Sequence, residues 1–144
     1  MSEYQHILVA LDLSEGSRTV IEKAQSLAAL RGARISLVHV VEYVPVEPMG
    51  EALLPSVHIE EELLANARRQ LKELAEELGL GDADRHVEIG NIKAEVLRLA
   101  RDLNVDLIAL GARERHGLEI LLNFTEDTVL HAAPCDVLAV RIRE

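Results

Sequence analysis

The residues of this chain that could carry chemistry concentrate in the stretch "LGARERHGLEILLNFTEDTVL", residues 110–130. It begins with Gly111 after an apolar run. A glycine-led loop after a strand is the kind of backbone that cradles phosphate, because main-chain amides approach the anion without a Cβ in the way. Where such a cradle requires small or uncharged residues, the chain has Glu114, Phe124, Glu126 and Asp127. The two acidic residues fall in the first turn of the next predicted helix, where each would repel a triphosphate by about 1–4 kcal/mol. The stretch thus has the outline of a phosphate-binding loop but not its residue types.

Residue patterns for catalysis or metal binding are not identifiable elsewhere in the sequence. The six histidines are scattered, with no pair four residues apart and none beside the cysteine. This spacing offers no preformed chelate, so we expect no metal site. We identify no nucleophile–base pair and no carboxylate pair, and we expect neither catalytic residues nor enzyme activity. The single cysteine, Cys135, cannot form an intrachain disulfide and is interpreted as a small core residue in a reducing compartment.

Hydrophobic periodicity predicts the elements that position these residues. Nearly continuous apolar runs such as "HILVALDL" are typical of strands buried on both faces, and apolar residues at intervals of three and four indicate helices. Strands are predicted at 6–13, 35–42, 85–90, 105–111 and 136–142, the third as an edge strand. Helices are predicted between Ser14 and Gly32, from near Ser56 to 78, over 94–103 and over 126–132.

Strands and helices alternate along the chain, and this order predicts the fold class. Alternation buries each central strand between helices, and right-handed crossovers then favour an α/β fold with a doubly wound five-stranded parallel sheet and four helices. The 144 residues, 49% of them hydrophobic, suffice for a single domain that spans 1–144. We find no repeat, low-complexity tract or interdomain linker.

A ligand site in such a sheet lies beyond the carboxyl ends of the strands where the winding direction reverses. If the first and fourth strands flank that point, the glycine-led stretch forms one wall of a crevice. The predicted lining consists of Ala10, Leu11, Asp12, Ser14, Gly111, Ala112 and Arg113.

The formal net charge of −10 limits the classes of partner. Nucleic acid and anionic membrane surfaces would repel the chain before any specific contact formed, so we expect neither as a partner. No apolar run approaches the length of a membrane span, and the first residues lack the features of a signal peptide. We therefore expect a cytoplasmic protein whose charge suits a basic partner better than an acidic one.

Four fragments, in their order and spacing, resemble the universal stress protein family: "HILVALDLSEGS", "ISLVHVVE", "VDLIALGAR" and "APCDVLAVR". The resemblance covers essentially the whole chain and implies a Rossmann-like fold similar to that of the adenine nucleotide alpha hydrolases. Family members that bind ATP carry G-x2-G-x9-G-[S/T] after the fourth strand, and the corresponding residues here are Gly111, Glu114, Phe124 and Thr125. Because two of the three glycines are missing, the chain is most similar to the branch of the founding member. That branch implies a non-enzymatic, homodimeric module for stress-response regulation or interaction that does not bind ATP.

The resemblance leaves a second function open, a stress sensor that binds ATP or AMP and hydrolyses ATP slowly. Arg113, Arg115 and His116 would supply positive charge in place of the missing amides. The residues that would contact the nucleotide are Ala10, Asp12, Val40, Gly111, Arg113 and Thr125.

Three of these residues also have an interpretation that requires no ligand. Asp12, together with Ser14, could cap the first helix. Val40 could belong to the core of the sheet. Gly111 could be required for a tight turn between strand and loop. The residue types alone leave both interpretations open at each position.

The last predicted strand, "DVLAVRI", is added beyond the fourth and should lie at an edge of the sheet. Its apolar residues carry little protection against edge pairing other than Arg141 and Arg143. We expect it to pair antiparallel with the same strand of a second copy about a two-fold axis. The family resemblance implies the same homodimer.

Overall fold

The computed structural model of the chain describes residues 4–42, 53–113 and 132–142. Within these ranges it contains five strands and three helices. In chain order they are β1 (His6–Leu11), α1 (Ser17–Arg31), β2 (Arg34–Val41), α2 (Leu53–Glu77), β3 (Asp84–Ile89), α3 (Ile92–Asp102), β4 (Leu107–Arg113) and β5 (Asp136–Ile142). The predicted fourth helix, 126–132, lies outside the described residues except for its last residue.

The five strands form one parallel sheet in the order β3-β2-β1-β4-β5. The predicted α/β class and parallel sheet are therefore confirmed, with β3 and β5 at the two edges. Three consecutive residues of the central strand β1, Ile7, Leu8 and Val9, have no exposed surface. A central strand covered on both faces explains why its sequence is a continuous apolar run.

Helices cover both faces of the sheet, as a doubly wound fold requires. On one face, α1 and α2 contribute Val20, Ile21 and Leu71 to a cluster with Ile7, Val9 and Leu37. On the other face, α3 contributes Val96 and Leu99 to a cluster with Leu8, Val38 and Ile108. Successive residues of a strand point to opposite faces, so each strand contributes to both clusters.

Several element boundaries differ from the predicted ones. Strand β1 ends at Leu11 instead of residue 13, because the backbone turns at Leu13, whose φ of 61° is incompatible with a strand. Strand β4 begins and ends two residues later than predicted. Helix α2 begins at Leu53, before the predicted start near Ser56, and Pro55 is tolerated there because amides in the first turn have no intrahelical partner.

No helix in the described ranges combines the length and apolar character that a membrane span requires.

Candidate functional site

The crevice predicted between the first and fourth strands begins where β1 and β4 separate. Their pairing ends with Val9 opposite Ala109. Strand β4 continues beyond that point in register with β5 alone, as far as Arg113 opposite Ile142. Strand β1 stays paired with β2 up to Leu11 opposite His39. The carboxyl ends of β1 and β4 thus diverge, which is the geometry expected at the switch point of a doubly wound sheet.

The first wall of the crevice is the turn between β1 and α1, which the carboxylate of Asp12 organises. Its Oδ1 accepts hydrogen bonds from the amide of Ser14 at 2.9 Å and from the hydroxyl of Ser17 at 3.3 Å. The Ser14 carbonyl in turn accepts from the amide of Ser17, a residue that is 2% exposed. Asp12 itself is exposed at the mouth of the crevice.

This turn corrects the interpretation of Asp12 and Ser14 as the cap of the first helix. The N-cap residue of α1 is Gly16, and no side chain makes a cap hydrogen bond there. The Asp12 carboxylate reaches the first residue of α1 through the hydroxyl of Ser17 and not from the N-cap position. The same carboxylate closes a turn through Ser14, the side-chain hydrogen bond typical of aspartate two residues before the donor.

The second wall contains Gly111, for which a tight turn and the close approach of a ligand are the two predicted roles. It lies inside β4, not in a turn, and its backbone is outside the left-handed region. A Cβ at this position would lie 2.5 Å from Cδ1 of Ile142 and 3.2 Å from Cγ2 of Val20. A larger residue here would have to displace the end of the Ile142 side chain, because side chains from β5 and α1 fill the space beside the Gly111 Cα.

Ile142 occupies the corresponding space at Gly16 as well. A Cβ on Gly16 would lie 2.6 Å from Cδ1 and 2.7 Å from Cγ2 of Ile142, separations that real Cβ atoms essentially never show. The side chain of Ile142 is 7% exposed although it lies at the end of an edge strand. One side chain of the last strand thus contacts both walls of the crevice.

The remaining predicted contact residues are distributed between core and surface. Val40 is 5% exposed and belongs to the cluster beneath α3, which favours its interpretation as sheet core. Ala10 is half-buried and packs against the same cluster. Arg113 is the last residue of β4. Thr125, together with Glu114 and Phe124, lies outside the described residues.

His39 is a residue of this region that the sequence analysis did not single out. Its Nδ1 lies 2.8 Å from the carbonyl oxygen of Leu11, the last residue of β1. Because a carbonyl can only accept, Nδ1 donates this hydrogen bond. The one available signal was a histidine within the apolar run "ISLVHVVE", where a polar side chain needs a partner.

Titratable side chains in the described ranges offer no metal site. No group of three or more His, Cys, Asp or Glu side chains in those ranges is placed to hold a metal ion. Cys135 is half-buried, and burial, followed by the carboxylates of Asp136 and Asp106, raises the pKa of its thiol. A raised pKa keeps the thiol protonated and unreactive near neutral pH.

Comparison with known proteins agrees with the observed fold. Residues 3–141 match the model of the universal stress protein family. Two relatives from Coxiella burnetii, universal stress protein A homologs 1 and 2, are 41% and 40% identical over 98% and 99% of this chain and 99% of their own lengths. Universal stress protein UspA from Lactobacillus plantarum superposes with a TM-score of 0.82 at 22% identity, over 98% of this chain and all of that one. A universal stress protein solved in complex with cAMP superposes with a TM-score of 0.64 at 22% identity, over 96% of this chain and 98% of the other. The chain therefore belongs to the universal stress protein family.

Proposed function

We propose that this chain is a cytoplasmic, non-enzymatic module of the stress response that acts as a homodimer through protein interactions and does not depend on ATP. The observation that carries the proposal is the packing of Ile142 against Gly111. In family members that bind ATP this glycine begins the nucleotide motif. Here the core of the protein accounts for the glycine without any ligand.

The rest of the motif supports the same proposal. A glycine loop binds phosphate because its amides approach the oxygens closely, and a side chain at the second or third glycine prevents that approach. The sequence has Glu114 and Phe124 at those two positions. The formal charge of −10 adds a general repulsion of anionic ligands.

The two edges of the sheet differ in a way that favours β5 as the dimer strand. Edge strand β3 has the sequence "DRHVEI", with three charged residues that discourage edge pairing. Strand β5 has an apolar centre in which Ala139 is exposed and Val137 and Leu138 are half-buried. An exposed apolar edge of this kind is satisfied by antiparallel pairing with a second copy.

The burial of β5 also determines which substitution tests the dimer. Val140 is 7% exposed and belongs to the cluster under α1, so a lysine there would damage the subunit itself. Ala139 is exposed, so Ala139→Glu should leave the subunit folded while placing like charges opposite each other across the two-fold axis. Ala65→Glu makes the same change at an exposed position of α2 and serves as the control.

Sedimentation at micromolar concentration tests the dimer. We expect the unmodified protein and Ala65→Glu to sediment as dimers, and Ala139→Glu to sediment as a monomer with an unchanged circular dichroism spectrum. A monomeric unmodified protein, or a dimer that persists in Ala139→Glu, would contradict the use of β5 as the interface.

A second candidate function is an adenine-nucleotide sensor with slow ATP hydrolysis, favoured by the divergence of β1 and β4 beyond Val9 and Ala109 and by the exposure of Asp12 after β1. One structural relative is described in complex with cAMP.

The two candidate functions are distinguished by nucleotide binding, which mass spectrometry of the denatured protein and melting curves with ATP, AMP or cAMP detect. A ligand at 100 times its dissociation constant stabilises by about 2.7 kcal/mol, so a bound nucleotide would be detected. No shift is expected; a clear shift that Asp12→Asn reduces would favour the sensor.

A further inference from the structure

The side chain of Ile142, in the last strand, lies against both walls of the crevice. At Gly16 its Cδ1 and Cγ2 both lie within 2.7 Å of where a Cβ would be, and at Gly111 its Cδ1 lies within 2.5 Å. Gly16 begins α1, directly after the turn that Asp12 organises, whereas Gly111 lies in β4. These two segments are distant in sequence and face each other across Ile142.

From this contact we infer that Ile142 is a positioning residue that couples the last strand to the crevice. Its side chain sets the distance between the start of α1 and the end of β4, and thereby the width of the crevice. Close-packed side chains transmit displacements because no free volume absorbs them. A shift at the carboxyl end of β5 therefore moves the β1–α1 turn.

The backbone of β5 makes it suited to this role. Among the described strands it pairs with β4 alone, so within the described residues its other edge is available to a second copy. Pairing at that edge would fix the position of Ile142, and through it the turn that carries Asp12, Ser14 and Ser17. This last step rests on the proposed homodimer, whereas the coupling within one subunit does not.

Three amides report the state of the turn. The amide of Ser14 donates to Asp12 Oδ1 at 2.9 Å, that of Ser17 to the Ser14 carbonyl at 3.0 Å, and that of Val20 to the Gly16 carbonyl at 3.2 Å. Hydrogen exchange at each amide measures how often its bond opens. The amide of Ala33, bonded to the Ala28 carbonyl at 3.0 Å beyond the other end of α1, serves as a reference.

The chain offers a closely matched pair of substitutions. Ile142 and Ile35 are each 7% exposed and belong to the same cluster, but Ile35 lies near the amino end of β2. Ile142→Val and Ile35→Val each remove one buried methyl group, and the loss is small enough for both variants to fold. In Ile142→Val the missing atom is Cδ1, which contacts both glycines.

We expect Ile142→Val to accelerate exchange at Ser14, Ser17 and Val20 by about tenfold relative to Ala33, because local opening no longer displaces a packed methyl group. Ile35→Val should change all four amides by a common factor. The compared quantity is the exchange rate at the three turn amides divided by the rate at Ala33. If both variants change this ratio equally, Ile142 is not coupled to the turn.

The dimer-dependent part has its own measurement. Exchange at Ser14 and Ser17 is recorded above and below the concentration at which sedimentation shows dissociation. We expect slower exchange in the dimer for the unmodified protein and a smaller difference for Ile142→Val. If the protein never dimerises, the proposed homodimer is wrong, but the two valine variants still test the coupling within one subunit. If it dimerises and exchange at both amides is unchanged, pairing of β5 does not affect the turn and the dimer-dependent step is wrong.

Discussion

Gly16 and Gly111 show that a glycine can be favoured by the packing beside it and not by its backbone angles. Neither residue adopts the left-handed conformation that usually explains a glycine. Both lie against Ile142, so any larger residue forces the isoleucine or the backbone to move. The three residues therefore form a single packing unit in which each constrains the other two.

Gly111→Ala should destabilise the protein by about 1–3 kcal/mol, the usual range for an overpacked core. Combining it with Ile142→Val should recover most of this loss, since the valine lacks the Cδ1 that lies 2.5 Å from the added Cβ, and Cγ1 is a tolerable 3.5 Å away. Urea unfolding of the four proteins in this cycle gives the coupling free energy directly.

Two variants control this cycle. Gly16→Ala should be rescued less by Ile142→Val, because Cγ2, 2.7 Å from its Cβ, belongs to the branch that valine keeps. Gly81→Ala adds a Cβ at an ordinary 3.6 Å from Glu76 and should have little effect. Additive free energies for Gly111→Ala and Ile142→Val would show that the two side chains do not compete for the same space.

His6 is a buried histidine whose protonation opposes folding. It is 8% exposed, and its Nε2 lies 2.7 Å from the hydroxyl of Ser36, which is fully buried. Burial first, and the charge of Arg34 second, lower its pKa from the usual 6.5, while Asp106 and Asp84 act in the opposite direction. The unfolded chain therefore binds a proton at a higher pH than the folded one.

Because of this difference in pKa, the free energy of unfolding should fall as the pH drops below 6.5. The contribution of His6 to this fall ends below the lowered pKa of the folded state. The slope contributed by one histidine is at most about 1.4 kcal/mol per pH unit. His6→Gln should remove this contribution while keeping a hydrogen-bonding group beside Ser36. The measurement is the urea midpoint between pH 5 and 7.5; parallel curves for the two proteins would contradict the prediction.

At the scale of elements, the amino ends of β1 and β4 are joined by one carboxylate. Asp106 accepts hydrogen bonds from the amide of Gln5 at 2.9 and 3.1 Å and from the amide of His6 at 3.0 Å. The Asp106 amide donates to the His6 carbonyl at 3.0 Å. These hydrogen bonds, called the clip below, lie at the amino ends of the strands, opposite the crevice, and fix the register of the two central strands.

Asp106→Ala should therefore reduce stability by about 1–3 kcal/mol, the range for losing hydrogen bonds to a charged group. Asp82→Ala, at an exposed position in the turn before β3, removes the same charge and serves as the control. Thermal unfolding compares the two variants. Equal losses would mean that the effect comes from net charge and not from the clip.

At the scale of the whole molecule, the crevice belongs to a fold that suits a nucleotide while the chain carries residues that oppose one. The double variant Glu114→Gly with Phe124→Gly restores the glycine pattern of the family members that bind ATP. Because Asp12, Val40 and Thr125 remain, we expect it to bind ATP measurably by calorimetry, whereas the unmodified chain does not. A folded double variant that still fails to bind would show that loop length, not residue type, prevents binding.

Sequence alone was sufficient for the order of the elements, the parallel sheet and the location of the crevice. Apolar periods of two and 3.6 residues are local properties, and few topologies accommodate strict alternation of strands and helices. The run predicted as a strand over 6–13 contains the central strand β1, which ends at Leu11, and "DVLAVRI" matched β5 residue for residue. The positions of the family motif could also be identified from the sequence, because the motif depends on residue types at fixed spacings.

Only the tertiary structure decided what individual residues of the crevice do. The role of Gly111 depends on Ile142, and that contact arises from the register of β4 with β5, which no local pattern encodes. In the same strand Val140 is turned toward the core and Ala139 is exposed. Only the structure therefore shows that a substitution at Ala139 tests the dimer, whereas one at Val140 would unfold the subunit. Asp12 organises a turn instead of capping a helix because the backbone turns at Leu13. The residue type at position 13, a leucine, does not predict this backbone conformation. The roles of Gly111 and Val140 result from contacts between segments distant in sequence, and such contacts are set by packing.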